Sequence, residues 1–358
     1  MAETLLSLCG VERPEAQMLT IERADVRDLR KRLRKAGIFD KDEAKQFRRF
    51  SAYSMATLGV LGLLIAAPAV WMQVALVPLI GLLLTPAVMH GHDGAHRSLS
   101  KNNSINKWME SLAFGLMGGM STSWWRWKHN GPHHTHPNLI SEDRSDPDIM
   151  LYPFATAQAD YDRSGPAVRF FQKYVQKWAF WPATSQVHFR MRGQSIVFLA
   201  KGIFNEGLKR EYQIEVLQLF GHVVLFIALP SLFLGFLPTM AVYLGVWSTV
   251  SLLLSIIFIP AHVGMPIQSA CEDFWGSQME GSRNYQAPKW AEWICVGLQY
   301  QIEHHLFPTI AYTQLPAASE IVQTWADEKG LPYQSLGWGA ALVDATRFMG
   351  RAWSVPTL

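Results

Sequence analysis

Two long stretches of this chain carry no charged side chain. Asp, Glu, Lys and Arg are absent from Phe50 to His92, and again from Val216 to Cys271. About 20 consecutive, mostly apolar residues suffice to cross the hydrocarbon core of a bilayer as a helix. Each stretch therefore has room for two spans and a tight return. The pattern predicts spans near 52–70 and 72–89, turning at Ala67-Pro68, and near 215–236 and 240–261, broken around Leu237-Pro238. Buried core helices of a soluble protein have no need of such length, so the pattern is that of a polytopic membrane protein.

The remaining segments are patterned differently. In residues 21–50, Ile21, Val26, Leu29, Leu33 and Ile38 recur at roughly helical spacing among 11 Lys/Arg and 6 Asp/Glu. That predicts an amphipathic helix, lying on a membrane surface or simply solvated. Leu112–Met120 is apolar but short and Gly-rich, which suits a re-entrant or interfacial helix better than a span. Residues 139–213 mix turn signals with Phe170, Phe171, Trp178 and Trp181 and predict a folded cap at the interface. The expected division is an N-terminal interfacial segment (1–50), a membrane and cap domain (51–325) and a C-terminal tail (326–358).

Composition agrees with this. Of 358 residues only 17% are charged and 49% are hydrophobic, against about 25% charged in soluble domains. The returns within the two blocks hold no Lys or Arg, while the flanking segments hold nearly all of them. By the positive-inside rule, both termini and the long middle segment face the cytoplasm. The net charge of +3 suits anionic lipid headgroups, and nothing resembles a nucleic-acid site. The N-terminus does not read as a signal peptide. Cys9, Cys271 and Cys295 form no CxxC pair and imply neither a disulfide framework nor a zinc ribbon.

The 12 histidines change the picture most. His90, His92 and His96 follow the second span, and His129, His133, His134 and His136 follow a Trp-rich stretch. His262 ends the fourth span, and His304 and His305 lie in QYQIEHHLFP. The predicted topology brings all these groups to one side of the membrane. His92 and His96, like His129 and His133, are spaced i, i+4 and would share a helix face. Pro132 suggests a helix starting near Asn130, with His129 at its cap. Imidazole suits iron, copper, zinc and nickel. The hydrolytic HExxH signature and the ExxH carboxylate set are absent. Eight imidazoles, from His92, His96, His129, His133, His134, His262, His304 and His305, point to a dinuclear iron site beside the bilayer.

Several other side chains invite roles. Asp93 and Glu303 could orient neighbouring imidazoles, while Asp146 and Asp148 suit a headgroup contact, an Arg pair or a turn. Trp124, Trp125 and Trp127 read first as interfacial anchors. His90 reads as hydrogen-bonded, His136 as outer or surface, and His188 as surface. His222, within the third span, reads as a neutral ring bonded to a backbone carbonyl.

The stretches His92-Asp93-Gly94-Ala95-His96, His129-Asn130-Gly131-Pro132-His133-His134 and Gln301-Ile302-Glu303-His304-His305 resemble the three histidine boxes of membrane fatty acid desaturases. Gln301 in the third box is similar to the front-end acyl-lipid and linoleoyl-CoA branch, and the likeness runs from about residue 25 to 325. The resemblance implies an all-α fold of four spans in two hairpins, with a cytoplasmic helical cap holding a di-iron centre. It implies use of O2 and two electrons to remove two hydrogens from an acyl chain carried on lipid or CoA. The eight histidines would ligate iron, Asn284 would hold a metal-bound water, and Gln301 would be a ligand or support one. Front-end members often carry a fused cytochrome b5 domain with an HPGG motif, which this sequence lacks. Electrons are then expected from a separate ferredoxin, cytochrome b5 or flavin reductase. The competing expectations are a hydroxylase on the same scaffold and a non-catalytic membrane metal carrier.

Overall fold

The computed structural model describes residues 19–141, 145, 146, 148, 152–270 and 273–357. Cys9, Cys271 and Pro147 lie outside them. Helix α1 (Arg23–Lys35) leads into α2 (Glu43–Ala66), which starts where the Asp42 side chain accepts from Lys45 N, 2.9 Å away. It stops at Ala67, held extended by Pro68. Helix α3 (Val70–Ala95) returns antiparallel to α2 and carries the first box in its last turn. Helix α4 (103–117) turns π-helical over Ser111–Met117, and α5 (122–133) does so over Arg126–His133.

Short helices fill 158–184 before the 20-residue α6 (Val187–Glu206). Helices α7 (Arg210–Leu234) and α8 (Phe236–His262) form the second hairpin. Their junction is Gly235, whose φ of +81° is a backbone conformation that side-chain-bearing residues rarely adopt. Among the described residues, α2, α3, α7 and α8 are the four helices long and apolar enough to cross a membrane. They coincide with the four predicted spans, although α2 begins at Glu43, well before the charge-free block, with a charged first part. The second break falls at Gly235 rather than Leu237-Pro238, because proline is tolerated in the first turn of α8.

The rest of the chain closes over one end of these hairpins. Helix α9 (Phe274–Glu280) is followed by strand β1 (Asn284–Gln286), α10 (Gln301–Leu306) and α11 (Leu315–Lys329). Strand β2 (Ser335–Gly337) pairs in parallel with β1, Asn284 opposite Ser335, and α12 (Trp338–Arg351) packs on α8. The stretch expected to be a tail is thus part of the fold. Asp344 of α12 holds the buried Arg283.

One other expectation is revised and one is refined. The apolar stripe of α1 enters the protein core, with Ile21, Leu29 and Leu33 packed among Ile302, Phe307 and Trp325. Its polar side is tied to α11 by Arg32–Glu328 (2.7 Å) and Lys329–Asp25 (2.6 Å). Protein, not lipid, covers it. The Leu112–Met120 region belongs to α4, wedged between α3 and α7. Its close approach needs Gly94, where a Cβ would lie 2.7 Å from Asn106 O and 2.8 Å from Glu110 N. This explains a glycine inside the first box.

Candidate metal centre

The seven box histidines and His262 are all buried and meet where α3, α5, α8 and α10 end. They form two adjoining groups. His92, His96, His129, His134 and His304 bring one ring nitrogen each within 4.8 Å of one another, and His133, His262 and His305 do the same. The rings of His134 and His305 stack at 4.5 Å between the groups.

The local fold of α5 decides which histidine joins which group. The predicted helix start near Asn130 is not observed, since α5 continues through His129 and Pro132 as a π-helix. Its i→i+5 bonding widens the turn. His129 and His134, five apart, therefore share a face, with Nε2 atoms 3.2 Å apart. His133 turns away to His262 and His305. The i, i+4 spacing does bring the His129 and His133 rings together, stacked at 4.9 Å with Asp148 beside both, but His133 also groups with His262 and His305.

Hydrogen bonds at the outer nitrogen set the tautomers. His133 donates from Nδ1 to Asp146 Oδ2 (2.9 Å), and His129 from Nδ1 to Asp148 Oδ2 (3.1 Å). His305 donates to Gln278 Oε1 and His262 to the Gly281 carbonyl, each at 2.9 Å. All four then turn an Nε2 lone pair inward, the arrangement metal-ligating histidines require. Burial first, then the neighbouring imidazoles, hold His96, His129, His134, His304 and His305 well below the usual histidine range. The neutral ring is the ligating form.

The residues fit a metal on their own geometry. Nε2 atoms of His92 and His129, and of His304 and His134, face each other at 3.1 Å. His129 Nε2 meets two such neighbours while its proton is committed at Nδ1 to Asp148. Converging lone pairs repel unless a cation lies among them, and bonds of about 2.1 Å to one ion would give such separations. His96 Nε2 and His305 Nε2 are buried without a partner, which also suits ligand atoms.

The two residues singled out beside the histidines are placed differently. Gln301 sets its amide nitrogen 3.0 Å from His262 Nε2 and leaves Oε1 buried and unpartnered. Asn284 donates to Glu303 Oε2 (2.8 Å) and Tyr333 Oη (2.7 Å) and accepts from Ile302 N (2.9 Å). It anchors the start of α10, the helix carrying His304 and His305. Glu303 bonds no imidazole. It accepts from Asn284 and Tyr333 in a site whose burial pushes its carboxyl up to about 7.

Asp146 and Asp148 take the orienting role expected of Asp93 and Glu303; Asp93 lies 3.8 Å from His92 Nδ1, beyond hydrogen-bond reach. The charge partners of Asp146, led by His133, outweigh its burial and hold its carboxyl below the usual range. The DPD sequence was the available signal for these two. Gln278 and Tyr333 carried none.

The remaining aromatic positions divide. Trp125 is buried and stacked on His129 at 4.5 Å, and Trp124 is buried, so only Trp127 is exposed. His90 donates to Pro86 O (2.7 Å). His222 bonds the Leu116 carbonyl, as read, and Tyr243 Oη, both at 2.9 Å. His136 is half-buried and bonds Thr135. His188 is not at the surface. It is buried, stacked on Trp247 at 4.4 Å and bonded to the Gly118 carbonyl, beside the equally buried Arg192. The helical period of α6 turns both inward, which a single polar residue in sequence does not reveal.

Between α3, α6 and α8 an apolar cavity of about 130 Å³ runs up to His129, His133 and His262, walled by Met89, Leu254 and Phe258. A buried cluster of neutral imidazoles beside a narrow apolar cavity can oxidise a hydrocarbon if it holds a redox metal. The family model for fatty acid desaturases matches residues 69–337, three quarters of the chain and all of this site. The chain belongs to the fatty acid desaturase family.

Among its relatives, the Delta(8)-fatty-acid desaturase 2 of Arabidopsis thaliana is 26% identical over 346 residues, covering 92% of this chain and 74% of the relative. The acyl-lipid (9-3)-desaturase of Borago officinalis is 28% identical over 284 residues, 74% of this chain and 60% of its own length. The sn-1 linoleoyl-lipid 6-desaturase of Synechocystis sp. is 26% identical over 263 residues, 68% and 70% respectively. This desaturase is therefore an oxidoreductase, and its relatives are consistent with the front-end-like branch.

Proposed function

We propose that this desaturase introduces a cis double bond into a lipid-linked acyl chain at a di-iron centre. His92, His96, His129, His134 and His304 would hold one iron, and His133, His262 and His305, with Gln301 beside them, the other. Bound iron would supply the oxidising power for removing two hydrogens, with O2, two electrons and two protons consumed and two waters formed. The chain's own residues do the rest. Asp146, Asp148 and Gln278 fix ring orientation through Nδ1, Asn284 positions α10, and Met89, Leu254 and Phe258 exclude water from the methylenes.

The termini and boxes are assigned to the cytoplasmic side from the Lys/Arg distribution. Electrons reach the centre from a separate ferredoxin, cytochrome b5 or flavin reductase. The observation that carries this reading is the convergence of eight buried imidazoles, three of which, His129, His133 and His262, line an apolar cavity. The test is mass spectrometry of acyl chains from cells expressing wild type or His304→Ala, alongside iron analysis of both proteins. New chains lacking two hydrogens, with wild type only, are expected. Chains that gain one oxygen instead would make this a hydroxylase, and wild-type protein purified without iron would sink the di-iron assignment.

A further inference from the structure

Asp148, Val187 and Met191 line both the apolar cavity and a wider groove of about 620 Å³ between α5 and α6. The groove has a different chemistry. Lys128, Arg190 and Lys201 face it, together with Trp124, Trp127 and Gln194. Arg190, Gln194 and Lys201 follow at i, i+4 and i+11, so one stripe of α6 supplies all three. Lys128 pairs with Asp148 and lies 5.7 Å from the Trp124 ring centroid. Among the described residues Asp148 is the one carboxylate lining the groove, and it also holds His129. Three cations therefore share one carboxylate, and Arg190 and Lys201 are exposed.

Along this stripe α6 also presents Val197, about half exposed, and Trp127 is 58% exposed across the groove. Apolar residues next to tryptophan and unneutralised cations characterise the depth where hydrocarbon meets headgroups. A guanidinium there matches phosphate oxygens in a way water does not. We propose that the groove seats the phosphate of a membrane glycerophospholipid, against Arg190 and Lys201, while its acyl chain enters the cavity past Val187 and Met191. This rests on the acyl-desaturase reading and adds the substrate's headgroup class. A neutral glycolipid or diacylglycerol offers these cations no anion. Acyl-CoA carries phosphate but arrives from water, whereas the exposed Trp127 and Val197 suit a groove that opens towards lipid.

The test is native mass spectrometry of the full chain released from neutral detergent. It is equilibrated with equimolar phosphatidylglycerol, diacylglycerol and acyl-CoA bearing identical acyl chains. The wild type is expected to retain phosphatidylglycerol over diacylglycerol by about tenfold or more, in line with what two juxtamembrane cations contribute. Arg190→Gln/Lys201→Gln should lose that preference, and Arg347→Gln, on α12, should keep it. Unchanged metal content and melting temperature would show that the double variant is folded. Equal retention of diacylglycerol, or a preference indifferent to the double variant, would overturn the proposal. Preferential retention of acyl-CoA would overturn the bilayer source. Because binding is read without turnover, its failure leaves the acyl-chain assay standing, and the reverse holds too.

Discussion

The two histidine groups are built from the same residue type but are unequal. One gathers five imidazoles from three helices, and the other gathers three imidazoles and sets an amide, Gln301, where a further ring would fit. The smaller group compensates through its supports. Each of its rings is fixed at Nδ1, by Asp146, the Gly281 carbonyl or Gln278. In the larger group only His129 has a carboxylate within hydrogen-bond distance, Asp148. Ligand number and ligand rigidity are alternative ways of holding a cation, and the two groups are built so that each would rely on a different one.

That comparison can be broken most directly by removing ligands. His133→Ala leaves two imidazoles in its group, whereas His96→Ala leaves four. Losing a ring's support costs roughly 10–100-fold in metal affinity or activity. His133→Ala should therefore exceed about 100-fold in activity and shed about one iron per chain. His96→Ala should lose less metal, measured by elemental analysis after dialysis. Equal losses would show that the groups do not hold their ions independently.

Asp146→Asn keeps the ring but replaces its carboxylate acceptor. A loss of about 10–100-fold is expected, with metal still present at saturating iron. Smaller again is the effect at Gln301. Gln301→His would supply a fourth imidazole and slow iron loss to a chelator, and Gln301→Ala would speed it. No change in either would place Gln301 outside the metal's reach.

The smallest effect lies away from both groups. Burial, opposed by Arg126, pushes Glu110 up to about 7 from an ordinary 4.5. The folded state therefore favours the protonated carboxyl more than the unfolded chain does. The stability this contributes is complete below about 4.5 and is lost as pH rises through about 7. Melting temperature in neutral detergent should fall between pH 5 and 8, and Glu110→Gln should flatten the slope. A variant with the wild-type slope would remove Glu110 as its source.

Much of this architecture could be read from the residues. Charge-free runs are long-range, redundant signals, so all four long apolar helices were legible, though not the charged start of α2 at Glu43. The clustering of the boxes followed from the side of the membrane each span exits. Three kinds of information were not local enough to read. The π-helical turn that pairs His129 with His134 depends on hydrogen-bond register, which Pro132 hints at but does not specify. The supports Gln278 and Tyr333 reach the site from segments with no motif, and Arg192 and His188 are buried by packing of α6 that polarity alone argues against. Residues beyond 325 read as a tail because strand β2 is three residues long.

That short strand has a consequence for how the enzyme is made. Asn284 begins β1 and anchors α10, and β1 is completed only by pairing with Ser335–Gly337. Tyr333, which holds Glu303 from the same return segment, is synthesised just before them. His304 and His305 therefore leave the ribosome some thirty residues ahead of the contacts that fix them. Closure of the centre is a late event in biosynthesis, and a ribosome-stalled chain ending before Tyr333 should be inserted in the membrane yet unable to retain metal.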